Sequence, residues 1–229
     1  MSDYDLTEGP SQPQIVITLL GCMLLAAFLQ LACEFSHEKF ALLGIEGSVA
    51  INAMKLLLAV LLAGAAFRSS GLTLGHKLSW QRHGIFVALW WLLPPLLVLT
   101  VYPNFTTRPF HGASWSFWLL APLAEELLFS GFIYGRMAGI FGKPAQNWRG
   151  AFSPTLLITA FLAALYFWPF LRNADNTGKI GEIGVSYAQF QMLYVFLFNL
   201  WMLNIRRWTG SIWPGVLNHI LVNVLMALL

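Results

Sequence analysis

Two adjacent carboxylates, Glu125 and Glu126, lie inside an apolar stretch of the sequence. Large apolar side chains precede them in residues 114–120 and follow them in residues 127–134. A charged side chain at bilayer depth costs at least a few kcal/mol, so an intramembrane acid is a functional-site hypothesis by default. The pair is therefore the first candidate for chemistry. The structural alternative is an ion pair or a shared proton that only holds helices together, with Lys55 as partner.

A histidine and an asparagine, His219 and Asn223, stand one helical turn apart near the end of the chain, on one face of a helix. The helix of the acids ends near Arg136, which places Glu126 about 15 Å from that end. The last helix begins after Arg207, which places His219 about 18 Å from the same membrane side. The matched depth predicts that the two pairs face each other. Interhelical hydrogen bonding is the plainer interpretation of the His and Asn pair.

This combination of residue types permits activation of water against a peptide bond. A glutamate in a low-dielectric site can act as general base, and its neighbour can share the proton. A histidine and an asparagine opposite can polarise a carbonyl and stabilise an oxyanion. Zinc held by Glu and His is the alternative, but the remaining histidines lie in predicted loops or at helix edges: His37, His76, His83 and His111. We therefore expect catalysis without metal or cofactor.

The composition predicts the elements that must position these side chains. The 229 residues are 58% apolar and 10% charged, with a mean hydropathy of +0.67, whereas soluble domains carry roughly 25% charged residues. This indicates an integral membrane protein, and we expect an all-α, polytopic helical bundle forming a single domain over residues 1–229. No nucleic-acid motif is visible. Cys22 and Cys33 lie about 16 Å apart along one predicted helix, too far to pair.

Apolar runs of spanning length number about seven, at roughly 20 residues per crossing. The third or fourth run could be split, so that six to eight helices is the expected range. The runs are Ile15–Cys33, Val49–Phe67, Ile85–Tyr102, Ala113–Ile140, Ala151–Leu171, Val185–Ile205 and Ser211–Leu229.

The basic residues predict the orientation, because cytoplasmic loops are enriched in Lys and Arg. Loops after the even-numbered runs carry Arg68, Lys77, Arg82, Arg136, Lys143, Arg149, Arg206 and Arg207. The opposite loops carry Lys39, Arg108, Arg172 and Lys179. We therefore expect a cytoplasmic N-terminus. Residues 1–13 lack the basic region of a signal peptide, so the first run is expected to remain as a membrane helix.

Two stretches together resemble the CAAX-protease and bacteriocin-processing (CPBP, or Abi) family of multi-helix intramembrane endopeptidases. They read Glu-Glu-Leu-Leu-Phe-Ser-Gly at 125–131 and Gly-Ser-Ile-Trp-Pro-Gly-Val-Leu-Asn-His-Ile-Leu-Val-Asn at 210–223. The resemblance covers residues 113–227, the expected catalytic core. It implies that Glu125 and Glu126 activate water and that His219 and Asn223 stabilise the oxyanion.

The sequence departs from the family pattern at two positions. The family arginine, four residues after the second glutamate, falls on Ser130, which could instead serve close helix packing beside Gly131. The family's middle histidine is absent from the fifth run, where Tyr166 is the best positional match. A tyrosine can donate a hydrogen bond to an oxyanion but cannot replace a histidine as acid–base group or metal ligand. The departures leave two interpretations open, a divergent protease and an inactive member.

Three classes of function follow from these residues. The first is an intramembrane endopeptidase that cleaves a membrane-associated peptide or protein near a hydrophobic or lipidated terminus. The second is a catalytically inactive membrane scaffold or binding protein on the same fold. The third, a proton-coupled transporter, is the weakest, because no inverted repeat or pair of broken helices is visible. The resemblance implies a multi-pass protein of the bacterial inner (cell) membrane, in contact with lipid.

Overall fold

The structure, a computed structural model, describes residues 11–41, 47–70, 84–104, 114–171, 177–180 and 183–229. Helices form nearly all of this part of the chain, which confirms the all-α fold class. The long helices are α1 (Gln12–Ala41), α2 (Gly47–Ser70), α3 (Gly84–Val101), α4 (Ser116–Phe141), α5 (Pro154–Leu171), α6 (Tyr187–Thr209) and α7 (Trp213–Leu228). Short 3₁₀ turns follow α3 and precede α5, at Tyr102–Asn104 and Trp148–Phe152.

A small β-hairpin between α5 and α6 adds to the expected helices. Its antiparallel strands are β1 (Thr177–Ile180) and β2 (Ile183–Ser186), with Thr177 opposite Ser186. The sequence here is polar and rich in glycine, and it carries β-branched residues that suit strands. Val185, the predicted start of the sixth apolar run, lies in β2, and the helix begins two residues later, at Tyr187.

Two helical segments are long and apolar enough to cross a membrane, Ser116–Phe141 and Trp148–Tyr166. In the described part of the chain, four further apolar helical stretches are shorter: Gln12–Leu25, Val49–Leu62, Leu89–Val101 and Trp213–Leu228. Seven crossings therefore remain a prediction.

The helix α4 is wider than an α-helix on both sides of the carboxylate pair. Its α-helical centre, Ala121–Glu126, lies between two π-helical segments, Ser116–Leu120 and Leu127–Ile133. The N–H of Ala121 donates to the carbonyl of Ser116, five residues earlier. Such wide turns inside helices are frequent at functional sites.

Tryptophan side chains attach α3 to α6 and α7. Trp90 stacks on Trp201 with ring centroids 3.8 Å apart, and Nε1 of Trp201 donates to the carbonyl of Trp90 at 2.6 Å. Nε1 of Trp91 donates to the carbonyl of Pro214 at 2.8 Å, and the amide of Asn218 donates back to the carbonyl of Trp91. These bonds fix the start of α7 against α3.

The connection between α4 and α5 is hydrogen-bonded to the C-terminal end of α6. Nη1 of Arg207 donates to the carbonyls of Ala145 and Asn147 at 2.6 and 2.7 Å. A Cβ atom at Gly150 would overlap the carbonyl oxygen of Ala145 and would lie 2.6 Å from Nη1 of Arg207. A glycine is therefore required where this loop closes on the guanidinium.

Candidate active site

The carboxylate of Glu126 is held by two side chains. Glu126 is 2% exposed. The hydroxyl of Ser130, one turn further along α4, donates to Oε2 at 2.6 Å. Nδ1 of His219 lies 3.3 Å from Oε1. Each carboxylate oxygen thus has a polar contact, so the orientation of this side chain is determined by both its own helix and α7.

The second carboxylate, Glu125, is also buried, with 7% of its surface exposed. Its Oε2 atom lies 3.6 Å from Nε2 of His219, which is beyond a normal hydrogen bond. The positive charge of Lys55, on α2, acts electrostatically on this carboxylate. The contact of Glu125 with His219, at 3.6 Å, is therefore longer than that of Glu126 with His219, at 3.3 Å.

His219 lies between the two carboxylates, with one ring nitrogen toward each. Its ring also meets the ring of Phe198, on α6, edge to face, with centroids 4.8 Å apart. Phe198 belongs to a cluster of buried apolar residues that includes Met202 and Val222. Apolar packing on one side and two carboxylates on the other restrict the rotation of the imidazole.

Asn223, one turn after His219, faces the first π-helical segment of α4. Its Nδ2 atom donates to the carbonyl of Phe117 at 3.0 Å. A nearby contact joins α2 to the same segment, since Nδ2 of Asn52 donates to the hydroxyl of Ser116 at 3.3 Å. The bond to Phe117 therefore holds the side chain of Asn223 in place. One hydrogen of its amide group remains available for another acceptor.

Gly215 was not among the candidates predicted from the sequence, although it lies directly against the carboxylate of Glu126. A Cβ atom at this position would be 3.2 Å from Oε2 of Glu126 and 3.8 Å from Cβ of Met202. The glycine lets the first turn of α7 approach α4 closely. The sequence did offer a sign of this role, the Trp213-Pro-Gly stretch near the start of the last apolar run. A glycine inside a helix usually has a packing or functional reason.

The two supporting candidates occupy different places. Ser130 is 1% exposed and bonds directly to Glu126, so helix packing is not its only contact. Tyr166 meets Phe129 edge to face with centroids 5.5 Å apart, and Nζ of Lys55 lies 5.4 Å from its ring centroid. Tyr166 therefore lines the same side of the site as the lysine that acts on Glu125.

The donor atoms do not converge on one point. The carboxylates approach opposite nitrogens of a single imidazole, whereas a zinc ion needs its ligands around one centre. Within the described ranges, no group of three or more His, Cys, Asp and Glu side chains could hold a metal ion. The expected metal-free chemistry remains a prediction.

The comparisons with known proteins concern the half of the chain that carries this site. The family model of the Rce1-like type II CAAX prenyl endopeptidases matches residues 107–225, just over half of the chain. Comparison with curated proteins and with solved structures finds no match. The matched segment contains both carboxylates, Ser130, His219 and Asn223. The chain therefore belongs to the Rce1-like type II CAAX prenyl endopeptidase family.

Proposed function

We propose that this protein is an intramembrane endopeptidase in which a glutamate activates the attacking water. One observation carries the proposal: the imidazole of His219 lies between the buried carboxylates of Glu125 and Glu126, at 3.6 and 3.3 Å. Membership of a CAAX endopeptidase family supports the same reaction class. Burial strengthens electrostatic interactions in such a site, because the effective dielectric constant is low.

Glu125 is the better candidate for the general base. Both oxygens of Glu126 already have close polar contacts, to Ser130 and His219. Oε2 of Glu125 and Nε2 of His219 are 3.6 Å apart, and one water oxygen can lie about 2.8 Å from both atoms. A water in that position can transfer a proton to Glu125 as it attacks a carbonyl carbon.

The remaining groups suit the later steps of peptide hydrolysis. Hydroxide addition makes a C–O bond and places negative charge on the carbonyl oxygen. The second amide hydrogen of Asn223, and Nε2–H of a protonated His219, are the donors for this oxyanion. Protonated Glu125 then returns its proton to the leaving amine as the C–N bond breaks. This scheme uses no metal or cofactor.

We also propose that the chain crosses the membrane several times. Helices other than the two candidate spans also expose large aliphatic side chains: Ile17 and Leu24 on α1, Leu57 and Leu61 on α2, Leu89 and Leu96 on α3, Leu193 on α6 and Leu217 on α7. Such surfaces suit contact with lipid acyl chains. The positive-inside rule predicts that the N-terminus is cytoplasmic. We propose the bacterial inner membrane as the location of the protein.

The substrate is proposed to be a membrane-associated peptide or protein that is cleaved near a hydrophobic or lipidated terminus. The family description supports a prenylated C-terminal segment. A buried site within apolar helices also favours a substrate that partitions into the membrane, because a soluble polar peptide would lose its hydration on entry.

A comparison of peptide termini tests the proposal. Membranes from cells with the wild-type protein are compared with membranes that contain Glu125→Gln/Glu126→Gln at equal abundance. Glu38→Gln makes the same chemical change outside the matched segment and serves as control. A terminus present with wild type and control, and absent with the double variant, supports proteolysis and identifies the substrate.

The second candidate is an inactive scaffold. One observation favours the scaffold, because polar side chains of the site already have hydrogen-bond partners within the bundle. These are the contacts of Glu126 with Ser130 and His219 and of Asn223 with Phe117. An unchanged set of termini in all three membranes would support the scaffold and contradict the protease.

A further inference from the structure

The connection between α4 and α5, residues 142–153, exposes two large aromatic side chains. Trp148 is 75% exposed and Phe152 is 63% exposed, and both lie in the 3₁₀ turn before α5. The turn lies outside the contacts described for the candidate active site. An exposed apolar surface of this kind marks a site of interaction with another molecule or with a membrane.

Hydrogen bonds hold the backbone of this connection in place. The carbonyl of Asn147 accepts from Nη1 of Arg207, at the C-terminal end of α6, at 2.7 Å. Oδ1 of Asn147 accepts from the N–H of Gly150 at 3.2 Å, which caps the start of the 3₁₀ turn. The hydroxyl of Thr155, in the first turn of α5, donates to the carbonyl of Gly142 at 2.8 Å. The two aromatic side chains are therefore presented from a backbone that the neighbouring helices position.

The place of this connection in the chain favours lipid over a protein partner. It joins Ser116–Phe141 to Trp148–Tyr166, the two segments that are long and apolar enough to cross a membrane. The bond between Thr155 and Gly142 brings the ends of these segments together, so the connection lies at one membrane surface when both segments cross. Tryptophan is enriched at that boundary, because its ring is apolar and its N–H is polar.

The charges of the connection suit an anionic surface. Lys143 and Arg149 are exposed, and the guanidinium carbon of Arg149 lies 5.7 Å from the centroid of the Trp148 ring. No Asp or Glu occurs in the sequence between Glu126 and Asp175. Both cations belong to the loops that predict the cytoplasmic side, and the cytoplasmic leaflet carries anionic lipids that attract such residues.

We propose that this connection docks on the headgroups of anionic phospholipids in the cytoplasmic leaflet. Trp148 and Phe152 lie among the glycerol groups and upper acyl chains, where aromatic rings are in apolar contact at the edge of water. Lys143 and Arg149 face the phosphates, to which they supply hydrogen-bond donors as well as charge. The inference rests on the proposed crossing of the membrane by α4 and α5 and on the predicted orientation, and it does not depend on proteolysis.

Stability in bilayers of two compositions tests the charged part of this surface. The wild type and Lys143→Gln/Arg149→Gln are reconstituted in nanodiscs of phosphatidylcholine, alone or mixed with an equal part of phosphatidylglycerol, and the unfolding temperatures are compared. Lys39→Gln/Lys179→Gln removes the same charge from the predicted opposite loops and serves as control. The wild type and the control are expected to unfold at a higher temperature in the anionic bilayer, and the test variant is expected to lose most of this increase. An equal increase in all three proteins would overturn the inference, as would no increase in the wild type.

Fluorine NMR of protein labelled with fluorotryptophan in the same bilayers tests the aromatic part. Trp148→Phe identifies the resonance of Trp148 by its disappearance. A spin label on the upper acyl chain is expected to broaden this resonance more than a label at the chain end does, and more than a soluble paramagnetic chelate does. Strongest broadening by the chelate would place Trp148 in water and leave the surface to a protein partner, and strongest broadening by the chain-end label would place it in the hydrocarbon core. Either result would overturn the docking.

Failure of the docking can be told apart from failure of the proposed function. Release of the wild-type protein from membranes by alkaline carbonate would contradict the membrane crossing and the docking with it. An integral protein whose Trp148 lies in water would contradict the docking alone. The comparison of peptide termini decides about proteolysis, and either of its outcomes leaves the docking unchanged.

Discussion

Nδ1 of His219 lies 3.3 Å from Oε1 of Glu126, although 93 residues separate them in the sequence. This contact joins α7 to α4 inside the bundle, where both groups are buried. It also turns the opposite nitrogen of the ring toward Glu125. The roles of the two glutamates can therefore be separated by experiment.

Replacement of the proposed base should have the largest effect on catalysis. Glu125→Gln keeps the size of the side chain but removes its basicity, so kcat is expected to fall by about 10²–10⁴-fold. Glu126→Gln should lower kcat less, because this residue orients His219. Single-turnover cleavage in proteoliposomes measures both. A larger loss for Glu126→Gln than for Glu125→Gln would reverse the assignment.

Loss of the hydroxyl at Ser130 should weaken the site and the fold together. Ser130→Ala removes a 2.6 Å bond to a buried carboxylate, and hydrogen bonds to charged groups contribute about 1.5–3 kcal/mol. Thermal unfolding in detergent gives the change in stability. Ser153→Ala is the matched control, since the buried hydroxyl of Ser153 has no hydrogen-bond partner among the described residues. Equal stability of the two variants would contradict the prediction.

An added methyl group at Gly215 should disturb the carboxylate without unfolding the protein. In Gly215→Ala the new Cβ lies 3.2 Å from Oε2 of Glu126, so the carboxylate must shift by a few tenths of an ångström and kcat should decrease. Gly139→Ala is the control, because its Cβ meets no atom within 4 Å. This control should gain up to about 1 kcal/mol from helix propensity. Cleavage at the wild-type rate by Gly215→Ala would argue against a close approach at this point.

The asparagines of α7 should differ in their effect on activity. Asn223→Ala loses the bond to Phe117, at 3.0 Å, and also the proposed donor to the oxyanion, so both stability and kcat should fall. Asn218→Ala loses a bond to Trp91 on α3 and should reduce stability alone. Each lost bond is expected to cost about 1 kcal/mol. Parallel unfolding and cleavage measurements on both variants decide the question, and equal loss of kcat in the two would remove the special role of Asn223.

The fold class and the main participants of the candidate site could be predicted from the amino-acid sequence alone. Long apolar runs can bury their backbone polar groups in a membrane only as helices, so the all-α class followed from composition. The unusual position of Glu125 and Glu126 within such a run identified them without any structure. The helical spacing of His219 and Asn223 predicted a second polar face at a similar depth.

The contacts between these side chains could be seen only once the helices were placed against one another in three dimensions. Sequence spacing gives the height of a residue along its helix but not the neighbour that it meets on another helix. The contact of Gly215 with Glu126 and the bond of Asn223 to Phe117 both depend on how α4 and α7 pack. The π-helical turns of α4 likewise change which side chains share a face, because they alter the number of residues per turn.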